Sequence, residues 1–228
     1  MLFDWERISR WVPYLVQGLS ITLSVAFLAA LFGLILGILL NAFSRRRVLG
    51  KVAFMYVDVF RGTPVILQLS MVYFAIPRLL SSFVLVYFDR TMTFLISAFT
   101  ASVITFSLNS AAYISEIIRS GVNSVDTGEI EAATALGVSK FHIYKDIILP
   151  IAFKNAFPAM MNELITLVKE SSIVSIIGLQ DLMRRQQIVT SQTFMFFEPL
   201  IIVGIIYYVV VKVMSYSGQW IERRLHHV

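Results

Sequence analysis

The chain contains no cysteine, which excludes disulfides and thiolate-held metal sites. Histidine is scarce as well. His142, His226 and His227 are too scattered to suggest a metal centre, and the last two read as tail residues. Charge is the most telling shortage. Only 14% of the 228 residues are charged and 57% are hydrophobic, against roughly 25% charged in an ordinary soluble domain. Trp11 to Ser44 holds no charged residue, and Thr91 to Ser115 is a second uncharged run, of 25 residues. A bilayer-spanning helix needs about 20 mostly apolar residues, so both runs qualify. Weaker runs at about Val52 to Phe74, Ile151 to Val168 and Pro199 to Ser215 each carry one or two ionisable residues. The pattern predicts an all-α integral membrane protein with five transmembrane helices, in one domain over residues 1–228.

Other absences narrow the function. No G-x-x-x-x-G-K-[ST] pattern is present, so the chain has no P-loop for ATP. The start MLFDWERISRW mixes acids with bases, and the following apolar run is too long for a signal-peptide core. Internal repeats of the kind expected in many secondary transporters do not appear. Lysine and arginine outnumber Asp and Glu by 19 to 14, and their placement is a topology signal. Arg45, Arg46, Arg47 and Lys51 fall in the first loop, Arg119, Lys140 and Lys145 in the third, and Arg223 and Arg224 in the tail. With five spans these share one side, which places the N-terminus outside and the C-terminus in the cytoplasm. A basic nucleic-acid surface is the alternative use of such a balance, and no basic recognition face supports it.

The spans carry individual features. Gly33 and Gly37 leave a smooth strip where another helix can approach, although such spacing also arises in unspecific packing. Asp58 and Arg61 stand at i,i+3 and can pair on one face. Gly62, Thr63 and Pro64 then interrupt the helix, because proline cannot donate to the carbonyl four residues back. Such a break must be re-satisfied in the protein interior or beside a polar cavity. Thr63 and Gln68 are therefore substrate-path candidates, with Arg61, Gly62 and Pro64 as structural residues. Glu116 and Arg119 form a second i,i+3 pair, at the expected cytoplasmic mouth. Glu163, Lys169 and Glu170 interrupt the fourth apolar helix, and ionisable groups at that depth normally face the bundle interior or water. Lys169 has the reach to snorkel to the headgroups. Glu163 has less reach, and either lines a path or pairs with a basic group between helices.

The third loop, about residues 125–150, is longer than a connection requires. Asp126 can cap a helix with Glu129 as its reciprocal partner, and Gly137 supplies a left-handed end. Ser139 can cap a second short helix, FHIYKDIIL, that meets Pro150. Two short angled helices would present Phe141, Ile143 and Ile147 for packing. This grammar also suits a DNA-binding helix-turn-helix, but the pair is tethered between membrane spans.

The residues Glu131, Ala132, Ala133, Gly137, Ile147, Leu149 and Pro150 follow the spacing of the EAA signature. On that motif the chain resembles the permease subunits of bacterial ABC importers. YVDVFRGTPVILQLSMVYFAIP and AAYISEIIRSGVNSVDTGEIEAATALG are similar to the polar amino-acid group (histidine, glutamine, arginine and cystine transport), over about residues 15–221. The resemblance implies a type I ABC importer permease fold in the bacterial cytoplasmic membrane. It implies a second permease chain, identical or related, an ABC ATPase subunit dimer, and an extracytoplasmic amino-acid-binding protein. Glu131, Ala132, Ala133 and Gly137 become the ATPase-coupling positions, with Pro150 structural. No cofactor is expected in this chain, ATP and Mg belonging to the ATPase. For a zwitterionic substrate, Glu163 can meet an amine, Thr63 and Gln68 can hydrogen-bond, and Lys169 or a helix-break amide can meet a carboxylate. A non-ABC scaffold or a proton-coupled secondary transporter is the alternative.

Overall fold

A computed structural model describes residues 4–226; His227 and Val228, at the end of the tail, lie outside the described residues. A short helix α1 (Trp5–Ser9) begins on Asp4, whose carboxylate accepts from the Arg7 amide at 3.0 Å. After it, α2 (Val12–Ser44) occupies almost the whole first uncharged run, with Pro13 in its first turn. Its 33 residues rise roughly 50 Å, well beyond a hydrocarbon core of about 30 Å. Then come α3 (Leu49–Gly62), α4 (Val65–Ser70), a π-helical stretch (Met71–Ala75) and α5 (Ile76–Phe88). The second long helix is α6 (Ala98–Asn123), and α7 (Thr127–Ala135) follows it. A single turn α8 (Lys140–His142) passes through a π-helical stretch (Ile143–Ile148) into α9 (Leu149–Glu170). A 3₁₀ stretch (Ser171–Ile177), α10 (Leu182–Thr193) and α11 (Phe197–His226) complete the chain.

Among the described residues four helical segments are long and apolar enough to cross a membrane: Val12–Ser44, Val65–Phe88, Ala98–Asn123 and Phe197–Leu225. Five were expected, so the count is corrected to four on this measure. The helix that falls short is α9, whose 22 residues include Lys154, Glu163, Lys169 and Glu170. It packs against α6, α11 and α2, so its polar residues need not all face lipid. The second span also moves. The apolar stretch begins after Pro64 and runs to Phe88, rather than from 52 to 74, and α3 alone, at roughly 21 Å, is too short to cross.

The central helix is α6. Its buried residues include Ser102, Thr105, Ser107, Asn109, Ser110 and Ser115, so the second uncharged run is small and polar on the face it turns inward. The Gly33–Gly37 strip lies against it. A Cβ on Gly33 would stand 3.0 Å from Ser110 Cβ, and one on Gly37 2.8 Å from Ile114 Cγ2. The strip is a close helix contact, not loose packing. One apolar cluster joins Val25, Ala29, Leu69, Phe106, Leu167 and Val174 where α2, α4, α6 and α9 converge. Another joins Ile8, Leu15, Leu182, Val189, Ile202 and Val203 around α1, α10 and the start of α11. The Asp4 amide donates to Glu198 at 3.1 Å, tying the chain's start to α11.

Asp181 caps α10, accepting from the Arg184 amide at 2.8 Å, and it is fully buried. Its other carboxylate oxygen has no hydrogen-bond partner among the described residues. Burial pushes its carboxyl up to about 6 from 3.8. The folded state therefore favours the protonated form. That contribution to stability is fully present below the unfolded value and lost as pH rises through about 6. The purified protein is expected to lose thermal stability between pH 4 and 6.5. Asp181→Asn, which keeps the cap, should flatten that slope, and an unchanged slope in thermal melts would remove Asp181 from its cause.

Candidate coupling loop and substrate path

The coupling loop is built by its caps. Asp126 accepts from the Gly128 amide at 2.8 Å and opens α7. The reciprocal Glu129 bond of a capping box does not form, so the single cap suffices. At the other end Gly137 adopts φ +78°. The Val138 amide donates to the Ala133 carbonyl at 3.1 Å, and the Gly137 amide to the Thr134 carbonyl at 3.0 Å. Those two bonds define a Schellman end, which takes up two of the orphan carbonyls of α7. Ser139 caps the next turn, accepting from the His142 amide at 3.5 Å.

The second short helix does not stand alone. It runs through the π-helical stretch directly into α9, with Pro150 in the first turn of α9. A Leu149 amide bond to the Tyr144 carbonyl, five residues back, widens the register just ahead of the proline that lacks a donor.

Exposure sorts the signature residues. Glu131, Ala132 and Gly137 face solvent, whereas Ala133 is 7% exposed, where α7 meets the π-helical stretch that holds the buried Ile143. The small side chain of Ala133 thus serves packing within the loop. Phe141 is exposed too, and so is Leu136, at 84%. Leu136 was not singled out by sequence. Its position immediately before a left-handed glycine, at the tip of the turn, is the signal that could have found it.

The helix break is likewise resolved in detail. Pro64 cannot donate to the Phe60 carbonyl, and that carbonyl accepts instead from Gln68 Nε2 at 2.9 Å and Asn109 Nδ2 at 3.1 Å. Gln68 Nε2 also donates to the Thr63 hydroxyl at 2.9 Å, while its Oε1 accepts from Asn109 Nδ2 at 3.0 Å. The Thr63 hydroxyl donates to the Val59 carbonyl at 2.8 Å. Gln68 and Thr63, chosen as path residues, are committed to holding the break, and Asn109 is a partner that sequence missed. Gln68→Leu should leave the Phe60 carbonyl and the Asn109 amide short of partners, costing about 1–3 kcal/mol. A melt midpoint in detergent equal to that of the wild type would contradict this role.

Below the break lies a cavity of about 520 Å³ lined by Arg61, Tyr113, Glu116, Arg119, Asn155 and Ala159, among others. Arg61 pairs across helices with Glu116 at 3.4 Å, and Arg119 pairs with the same carboxylate. The expected Asp58–Arg61 pair is therefore replaced, because Glu116 of α6 lies beside the end of α3 and Arg61 also sits 5.3 Å over the Tyr113 ring. One carboxylate between two guanidinium groups leaves the cluster net positive. Glu163 is one turn beyond Ala159 on α9. It lies against Ser110 of α6, a buried residue whose hydroxyl has no normal hydrogen-bond partner among the described residues. Lys169 is exposed, away from this wall. Glu163 is thus one turn past the cavity's lining on α9 rather than part of it, and Lys169 stands apart. Among the described residues no group of three or more His, Asp or Glu could hold a metal.

The sequence profile of the family described as "binding-protein-dependent transport system inner membrane component" matches residues 29–227. The chain belongs to this family. It is 47% identical to the arginine transport system permease protein ArtQ of Bacillus subtilis (strain 168), over 99% of this chain and 98% of that protein. The putative glutamine transport system permease protein GlnP of Rickettsia bellii (strain RML369-C) is 44% identical over 96% of each. A crystal structure of an amino acid ABC transporter with histidines superposes with a TM-score of 0.86 at 37% identity, covering 98% of this chain and all of that one. The similarity thus reaches beyond 15–221 and takes in the N-terminal segment. The protein is a multi-pass inner-membrane permease subunit of the polar amino-acid ABC importers, with the all-α fold of type I importers. It works with a separate ATPase and is a transport component, not an enzyme. That membership sets aside the scaffold and the secondary transporter.

Proposed function

We propose that this permease forms one half of a two-fold translocation path for a polar amino acid, with α9 as its fifth membrane crossing and the N-terminus outside. The observation that carries the coupling half of this proposal is the exposed end of α7, where Glu131 and Ala132 on the helix lead to Leu136 and Gly137 in its Schellman turn. A groove on each subunit of an ATPase dimer would receive it, and α9, continuous with the same loop, would carry the motion into the membrane. An extracytoplasmic binding protein would deliver the substrate. A second copy of the chain, or a sister chain, would close the path, since closed two-fold pairing is the commonest assembly.

The cavity supports the substrate half. Glu163, one turn beyond the lining residue Ala159, would offer a negative pole next to the cavity, and the Arg61–Glu116–Arg119 cluster gives a net positive wall nearer the end of α6. The two are complementary to a zwitterion. Thr63 and Gln68 shape this path by fixing the break, and Lys169 remains a candidate for a carboxylate only if it turns inward. Reconstituted vesicles holding both permease chains, the ATPase and the binding protein, tested with labelled amino acids, should accumulate a polar substrate in an ATP-dependent way. No uptake of any polar amino acid with all partners bound would refute the proposal.

A further inference from the structure

The loop between α2 and α3 has no part in coupling or transport as derived above, yet it is built closely. The Gly50 amide donates to the Arg46 carbonyl at 2.7 Å. A Cβ at Gly50 would stand 2.6 Å from the Ser44 carbonyl oxygen, so only glycine lets the chain fold back this tightly on the end of α2. That turn gathers Arg45, Arg46, Arg47 and Lys51 around one cleft of about 400 Å³, with Phe54 on its wall. Among the described residues no carboxylate comes within ion-pairing distance of any of the four, since both ion pairs involve Glu116.

Four cations held together without a counter-ion repel one another, and an anion in the cleft would relieve them. The surroundings indicate its source. Val48 is 74% exposed, and Val52, Met55 and Val59 continue from it as an exposed apolar face along α3, while Phe54 stands on the neighbouring side of the helix, toward Asp58 and Arg61. In a membrane protein such a face meets acyl chains, and the cations stand at its end, where headgroups lie. A soluble anion would make no use of the adjoining apolar face. We propose that this cleft holds the phosphate of an anionic membrane phospholipid, its acyl chain lying along Val48, Val52 and Met55. The planar guanidinium groups suit the paired oxygens of a phosphate, and each cation adds to attraction by an anionic membrane surface. Arg45 also sits 5.6 Å over the ring of Tyr144, in the π-helical stretch of the coupling loop. Occupancy of the cleft is thereby linked to the segment that leads into α9.

The test uses the full chain in nanodiscs of phosphatidylcholine with a minority of phosphatidylglycerol, and counts retained lipids by native mass spectrometry. Arg46→Gln with Arg47→Gln should lower phosphatidylglycerol retention on the order of tenfold and leave phosphatidylcholine retention unchanged. Arg78→Gln with Arg90→Gln removes the same charge far from the cleft and should retain the lipid as the wild type does. Equal retention in wild type and the Arg46/Arg47 variant overturns the proposal, as does an equal loss in the control. Displacement by inorganic phosphate as readily as by short-chain phosphatidylglycerol would make the occupant a free anion and likewise overturn it. If the Arg46/Arg47 variant keeps its lipid but loses ATPase subunits in a pull-down, the cleft is a protein contact and the proposal fails.

Discussion

Gly137→Leu is expected to leave the permease in the membrane and cut its capture of ATPase subunits at least tenfold. Two effects act at one position. Gly137 has φ +78°, and a side chain there costs about 1–2 kcal/mol of backbone strain. Nothing lies within 4 Å of where a Cβ would go, so the chain itself has room for the leucine. The added bulk points instead at whatever docks on the tip. Gly137→Asn separates these effects, since asparagine tolerates the left-handed region but still projects from the surface. Folding, read by yield and melting, should be near normal in the asparagine variant and slightly reduced in the leucine one. Docking and substrate-stimulated hydrolysis should fall in both, more steeply in the leucine variant. Wild-type pull-down and hydrolysis in Gly137→Leu would show that the tip does not meet the motor.

What the sequence revealed and what it hid follow one physical division. Features governed by neighbours along the chain were legible. The uncharged run 11–44 became α2 because nothing in it favours water, and Asp126, Gly137 and Ser139 became caps because capping is a matter of three or four residues. Features governed by a distant helix were not. Arg61 has Asp58 one turn away yet pairs with Glu116 on α6, and the Phe60 carbonyl freed by Pro64 is met partly by Asn109. Neither choice has a signature in local spacing.

The prolines do not act alike. Pro64 does break the helix, with Thr63 extended at φ −118° and ψ 144°. Pro77 and Pro150 do not. Each follows a π-helical stretch, in which Ile76 donates to the Met71 carbonyl and Leu149 to the Tyr144 carbonyl. The wider register absorbs the missing donor before the proline is reached. This is why the second span extends to Phe88, and why the second short helix of the third loop runs on into α9. α9 itself carries a further proline, Pro158, between Pro150 and Glu163, and remains helical through it.

Glu163→Gln tests the part of α9 beyond Pro158. The substitution keeps the shape and hydrogen-bonding capacity of the side chain and removes its charge. If Glu163 provides the negative pole of the cavity, affinity for a cationic amino acid should fall at least tenfold, the scale on which one hydrogen bond to a charged group operates. Complex yield and basal ATP hydrolysis should stay near wild type, because no basic side chain among the described residues pairs with Glu163 and its loss therefore orphans no cation. A neutral substrate, held mainly through its backbone groups, should lose less, so the ratio of the two effects reports on specificity. The competing role, a structural contact between α9 and Ser110 of α6, predicts something different: yield and melting temperature would fall together with transport, for every substrate alike. Ser110→Ala distinguishes them further. In the substrate-path role, it removes a buried hydroxyl that has no made partner and should be nearly neutral for stability while shifting affinity modestly. Binding and uptake unchanged for every transported amino acid in Glu163→Gln would place the substrate's ammonium group elsewhere along the cavity, away from α9.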